Sequence, residues 1–222
     1  MTPKISCLIY DLDGLLLDTE SIYSEVTQKI VGEYNKVFDW SLKKKIIGRK
    51  STQAAKIIVE SLNLPITPEE YLDSRKEDLL ESLRNSQPMS GAIELTTHFF
   101  QKGIPQAIAT SSASPTFEAK YENHKKWFSQ FNLIVKGDDP ELKEGKPAPD
   151  IFLIAAKRLG FEPVNCLVFE DAPSGIKGAL AAGMNVVAVP DPHIEDHYYN
   201  NASQVITSLK KFDPENWGLP KF

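Results

Sequence analysis

Cysteine is nearly absent from this chain: 222 residues carry two, Cys7 and Cys166. Both sit in apolar, strand-like runs, so buried reduced thiols are the expected state and a disulfide framework is not. No stretch reaches the roughly 18 apolar residues of a membrane-spanning helix. Met1-Thr-Pro-Lys-Ile5 shows no secretory apolar region and runs straight into the first apolar segment, which makes a cytoplasmic location the expectation. Positive charge is not in excess. The 25 Lys and Arg face 30 Asp and Glu, a net charge of −5, which argues against nucleic acid or an acidic membrane as the main partner. Neither G-x-x-x-x-G-K-[ST] nor G-x-G-x-x-G follows a strand, so P-loop and dinucleotide-binding folds are set aside. Internal repeats and low-complexity segments are also lacking.

What is present is an alternation. Five short runs rich in β-branched residues read as strands: Ile5 to Tyr10, Gln106 to Thr110, Leu133 to Val135, Cys166 to Phe169 and Val186 to Val189. Their continuous hydrophobicity is that of strands covered on both faces. Helical patterns fall between them: Ala92 to Lys102, Pro115 to Phe128, with Pro149 opening the next to Leu159, and Ser174 to Ala182. Alternating strand and helix implies an α/β fold with a parallel sheet, whose ligands bind beyond the carboxyl ends of the strands. The stretch from about Ser21 to Gln87 breaks the pattern with helical periodicity throughout. A helical insertion after the first strand is the economical reading. It divides the chain into a core of residues 1–16 and 88–222 and an inserted helical cap of residues 17–87, expected to act as a lid.

Asp11-Leu-Asp-Gly14, at the end of the first strand, is the most informative segment. Side chains two apart in an extended chain point the same way. Two carboxylates so placed repel each other unless a cation or a proton joins them. Gly14 lets the backbone turn beside them. The spacing suits a Mg²⁺ site that leaves one carboxylate for chemistry; an EF-hand is set aside because Leu15 to Leu17 interrupt its alternating oxygen ligands. After the second strand comes Thr110-Ser-Ser112, after the third the chain reaches Gly145-Lys-Pro147, and the fourth ends in Glu170-Asp171. A hydroxyl, an ammonium and an acidic pair would thus meet the first pair at one sheet edge, the set that phosphoryl transfer requires. The catalytic candidates are Asp11 as nucleophile, Asp13 as acid and base, Thr110 as hydroxyl donor and Lys146 as charge neutraliser. Metal ligands would come from Asp11, Asp13, Asp171 and Glu170. Leu12, Ser111, Glu20 and Arg49 are the candidate phosphate- or substrate-binding residues, Arg49 in the Gly48-Arg-Lys-Ser51 loop of the insertion.

The order Asp11-x-Asp13, Thr110, Lys146, Glu170-Asp171 resembles the haloacid dehalogenase-like hydrolase superfamily on all four of its motifs. That resemblance implies a Rossmann-like core, a helical cap and Mg²⁺-dependent phosphatase or phosphomutase chemistry. Over nearly the whole chain, Tyr10 to Glu20, Gly137 to Glu141, Gly145 to Leu153, Leu167 to Gly175 and Trp217 to Pro220 look like the pseudouridine-5′-phosphatase group, which is similar to plant glycerol-3-phosphate phosphatases. Related enzymes often carry Lys or Arg shortly after the second-motif hydroxyl, where this chain has Ala113. A small monophosphate ester and a monomeric protein are the corresponding expectations.

Overall fold

The computed structural model describes residues 4–46 and 51–222. Its contacts divide the chain into two compact units, Met1–Asp18 with Gln87–Phe222, and Thr19–Ser86.

The first unit holds a six-stranded sheet. Its strands are β1 (Cys7–Tyr10), β4 (Gln106–Ala109), β5 (Leu133–Val135), β6 (Cys166–Glu170), β7 (Asn185–Ala188) and β8 (Gln204–Val205), in the order β5-β4-β1-β6-β7-β8. Every pairing is parallel. The chain builds outward from β1 in one direction and then in the other, so the reversal of strand order lies beside β1, where such sheets bind ligands. Alternation assigns the side chains to two layers. Leu8, Tyr10, Ile108, Leu167, Phe169 and Val187 join one apolar cluster; Cys7, Ile9, Ala107, Ala109, Val168 and Val186 join the other. Helix α5 (Ala92–Gln101), with α6 (Ser114–Tyr121) and α7 (Lys125–Phe128), supplies Leu95, Phe99, Phe117 and Phe128 to the first layer. Helices α8 (Asp150–Leu159) and α9 (Pro173–Ala181) supply Phe152, Ala155, Ile176 and Ala179 to the second. Cys7 and Cys166 are register partners, both buried and unoxidised, with their sulfurs 3.1 Å apart.

A second, two-stranded ladder pairs β2 (Leu17–Asp18) with β3 (Gln87–Pro88) antiparallel, Asp18 facing Gln87. The sequence reading has no strand at either place. The single helix expected over Pro115 to Phe128 is broken into α6 and α7 at Glu122 to His124, and α8 begins at Asp150 with Pro149 as its N-cap rather than its first helical residue.

The second unit is helical: α1 (Glu20–Gly32), α2 (Trp40–Ile46), α3 (Ser51–Leu62) and α4 (Pro68–Arg84). Ile30, Val31, Leu42, Ala55, Ile58, Val59 and Tyr71 form its own core, and Thr27 shares a hydrogen bond with the Tyr71 hydroxyl. A capping box starts α4: the Thr67 hydroxyl accepts from the Glu70 amide while the Glu70 carboxylate accepts from the Thr67 amide, satisfying two backbone donors that a helix start leaves over. Among the described residues no helix is long and apolar enough to cross a membrane.

Candidate active site

Asp11 follows β1 directly. Its amide donates to the Phe169 carbonyl, which ties it to the neighbouring strand β6. Its side chain is buried, so its charge must be met locally. Lys146 does this. The Lys146 ammonium contacts Asp11 Oδ1, lies 2.6 Å from Glu170 Oε1 and donates to the Ala109 carbonyl at 3.0 Å. One buried cation thus bridges the ends of β1, β4 and β6. The remaining Glu170 oxygen accepts from the Ala172 amide at 3.0 Å.

Asp13 belongs to a different set. Thr110, whose amide donates to Val135 beyond the end of β4, offers its hydroxyl to Asp13 Oδ2 at 3.2 Å; Ser112 offers its hydroxyl to the same oxygen at 2.9 Å. Lys120, on α6, contacts Oδ1 and donates to the Ser112 hydroxyl at 2.7 Å. The Ser112 amide in turn donates to the Thr110 hydroxyl at 3.0 Å. Two aspartates two residues apart are therefore held by two different ammonium groups.

Two glycines make room for the acids. Gly14 has φ of +85°, a conformation that side chains disfavour, and a Cβ there would sit 2.4 Å from Asp171 Oδ2. A Cβ on Gly175 would sit 1.7 Å from Glu170 Oε1. Asp171 is fixed from behind by Tyr199, whose hydroxyl donates to its carbonyl at 2.9 Å.

Burial pushes the Asp11 carboxyl up to about 7; Lys146 opposes that shift, and the charges of Glu170 and Asp13 reinforce it. For Lys146 burial works against the charged form, but Asp11 and Glu170 outweigh it and hold the ammonium above its ordinary range. The site is negative enough to want a further cation. Its donors, the carboxylates of Asp11, Glu170 and Asp171, are all oxygen, the chemistry of a hard divalent ion such as Mg²⁺. Among the described residues no three His, Cys, Asp or Glu side chains are gathered as a finished cage; the Lys146 ammonium stands between Asp11 and Glu170 instead.

Of the residues expected from sequence, Asp11, Lys146 and Glu170 meet in one cluster, Asp13 and Thr110 in a second, and Asp171 lies against Gly14. Others are elsewhere. The Leu12 side chain is in the core, and its carbonyl accepts from the Leu16 and Leu17 amides. Ser111 is exposed, its carbonyl pressed against Gly137, where a Cβ would sit 2.1 Å away; the hydroxyl that reaches Asp13 is that of Ser112. Glu20 opens α1 in the helical unit, with its carboxylate 3.3 Å from Lys43. Arg49 lies outside the described residues. Lys120 and Ser112 were not anticipated. The available signal was a lysine three residues after Phe117, on the inward side of α6.

Residues 8–189 match the sequence model of the family described as "Haloacid dehalogenase-like hydrolase". The chain is 48% identical to "(DL)-glycerol-3-phosphatase 2" of Arabidopsis thaliana, over 99% of this chain and 93% of that protein. It is 42% identical to "Probable pseudouridine-5'-phosphatase" of Drosophila melanogaster, over 99% and 96%. Among solved structures, a HAD family hydrolase from Deinococcus radiodurans with bound phosphate and sodium superimposes with a TM-score of 0.82, covering 100% of both chains at 22% identity. At that identity the likeness concerns the fold.

Proposed function

The chain belongs to the haloacid dehalogenase-like hydrolase family, and we propose that it is a Mg²⁺-dependent phosphatase of small phosphate monoesters acting through an aspartyl-phosphate on Asp11. The observation that carries this reading is the separation of the two aspartates: Asp11 shares Lys146 with Glu170, whereas Asp13 is held by Thr110, Ser112 and Lys120. Carboxylates in different surroundings can take different roles.

In the proposed cycle an Asp11 oxygen attacks phosphorus and the ester P–O bond breaks, with Asp13 giving its proton to the departing alkoxide. Asp13 then takes a proton from water, which attacks the phosphorus of the aspartyl-phosphate. The P–O bond to Asp11 breaks, and inorganic phosphate leaves. Lys146 neutralises charge on the nucleophile and on the phosphoryl group, and the Thr110 hydroxyl turns from Asp13 to a phosphoryl oxygen. Asp11, Asp171 and Glu170, with the Asp13 carbonyl, would hold Mg²⁺, which when bound would supply charge compensation for the transferred group. The chemistry needs several such groups together, since one acid or base contributes only about 10²–10⁴-fold.

The relatives' names direct the substrate reading to glycerol 3-phosphate and pseudouridine 5′-phosphate. Ala113, exposed at the N-cap of α6, offers no charge to a second phosphate, so a monophosphate is the proposed substrate. The test is inorganic phosphate release from glycerol 3-phosphate, pseudouridine 5′-phosphate, sugar mono- and bisphosphates and nucleotides, with Mg²⁺ and with a chelator. Mg²⁺-dependent release, best with a monophosphate, is expected. Isomerisation of a sugar phosphate without net release would replace the reading with a phosphomutase, and no turnover of any ester would end it.

A further inference from the structure

We propose that Lys120 is a positioning residue, which together with Ser112 fixes the carboxylate of Asp13 in the single orientation its proton transfers require; this rests on the phosphatase reading above. Lys120 is fully buried on α6, whose Phe117 belongs, with Trp127 and Phe128 of α7, to the first apolar layer. An ammonium buried there is costly to desolvate, and apolar side chains in place of both it and its carboxylate partner would be no less stable, so stability alone does not account for the pair. The Lys120 backbone is held from outside the site. The Phe117 ring stacks on Tyr121 and packs against Phe128, and Ser114 at the helix start bonds through its amide and its hydroxyl to Asp138. Side chains on a helix lean toward its N-terminus, and α6 starts just beyond the Thr110 loop. The Lys120 stem therefore reaches back to the sheet edge, where Nζ meets both Asp13 Oδ1 and the Ser112 hydroxyl.

The result is a brace with two anchor points. Lys120 holds one Asp13 oxygen, while Ser112, itself held by Lys120, holds the other together with Thr110. Yet the Asp13 side chain keeps 21% of its surface exposed, against 0% for Lys120. The carboxylate is thus braced at both oxygens while part of the side chain still meets solvent. When Thr110 turns to a phosphoryl oxygen, Lys120 and Ser112 remain to keep Asp13 aimed. Holding a reacting group within a narrow range of geometry is itself a large share of catalysis, and Lys120 needs no contact with substrate to provide it.

The test is a mutant cycle on the full-length enzyme, with Lys120→Met, Asp13→Asn and the double variant, assayed for phosphate release on the best monoester. Lys120→Met is expected to lower kcat by about 10–10²-fold, less than the roughly 10²–10⁴-fold that the acid–base group itself supplies, because Asp13 is misaimed rather than removed. KM, and the inhibition constant of inorganic phosphate, should stay within about three-fold because no substrate contact is lost. In the Asp13→Asn background Lys120→Met should change kcat by less than about three-fold, since the residue acts through Asp13. Ser112→Ala, which deletes one hydroxyl, is the second variant should Lys120→Met fail to fold. A smaller loss of kcat is expected from it, and that loss should likewise vanish without Asp13. A wild-type-like kcat in either folded variant, an effect undiminished in the Asp13→Asn background, or a rise in the phosphate inhibition constant matching the loss of activity would each overturn the positioning role. Failure of the wild-type protein to hydrolyse any ester would instead strike the phosphatase reading.

Discussion

At the scale of single residues, the buried pair Asp11 and Lys146 sets the sharpest expectations. Asp11→Asn should reduce phosphate release to the level of the protein-free control, because the amide cannot form the phosphoenzyme; rapid-quench trapping of labelled enzyme checks this directly. Burial has a thermodynamic counterpart. An Asp11 carboxyl near 7 in the fold but near 3.8 unfolded means the native state binds the extra proton between those values. Stability from this group is then complete below about pH 4 and is lost as pH rises toward 7. In chelator, the melting temperature of the wild type relative to Asp11→Asn should fall from pH 5 to pH 8, and Mg²⁺ should restore it at the alkaline end. A flat difference across that range would contradict the assigned burial effect. Lys146→Ala strips two buried carboxylates of their shared cation. Breaking such a pair costs about 3–5 kcal/mol, so chelated protein should melt well below wild type, with activity down by at least about 10²-fold.

At the scale of elements, the long apolar runs were legible and the short devices were not. Strands β1, β4 and β6 are buried on both faces, so their hydrophobicity is continuous and marks them without alignment or structure. β2, β3 and β8 have two residues each, too few for any periodicity to show. Of the acidic and basic groups, those at a strand's end or in the loop that follows it could be placed from sequence, because a parallel sheet brings those ends and loops to one edge. Lys120 could not, since its part depends on the angle at which α6 returns over the sheet. Gly175 falls inside the helical pattern Ser174 to Ala182, and nothing in that pattern calls for glycine; its reason lies in the 1.7 Å a Cβ would leave to Glu170. Gly175→Ala should therefore push Glu170 off Lys146, lowering activity by about ten-fold or more, a loss of the size expected from one misplaced electrostatic group. Circular dichroism should stay unchanged because Ala favours the helix.

At the scale of the whole molecule, the α/β class with a parallel sheet follows from alternation alone, and the observed order of the strands agrees with it. The two-unit division by contacts starts the helical segment at Thr19 and ends it at Ser86. Asp18 and Gln87, the residues on either side, are ladder partners, so the chain leaves and re-enters the sheet unit at one point. Replacing residues 19–86 by a short Gly-rich turn should consequently leave a protein that folds, seen as a cooperative thermal transition and native-like far-ultraviolet circular dichroism. An unfolded product would show that the sheet unit depends on the segment.

The paired sulfhydryls of Cys7 and Cys166 give the molecule a built-in gauge of its own opening. They sit on the two middle strands with no surface in water, so a thiol reagent can reach either only when β1 and β6 part. Local fraying at termini or loops should leave both silent, and the rate at which colour develops with such a reagent should report the rupture of the central sheet itself.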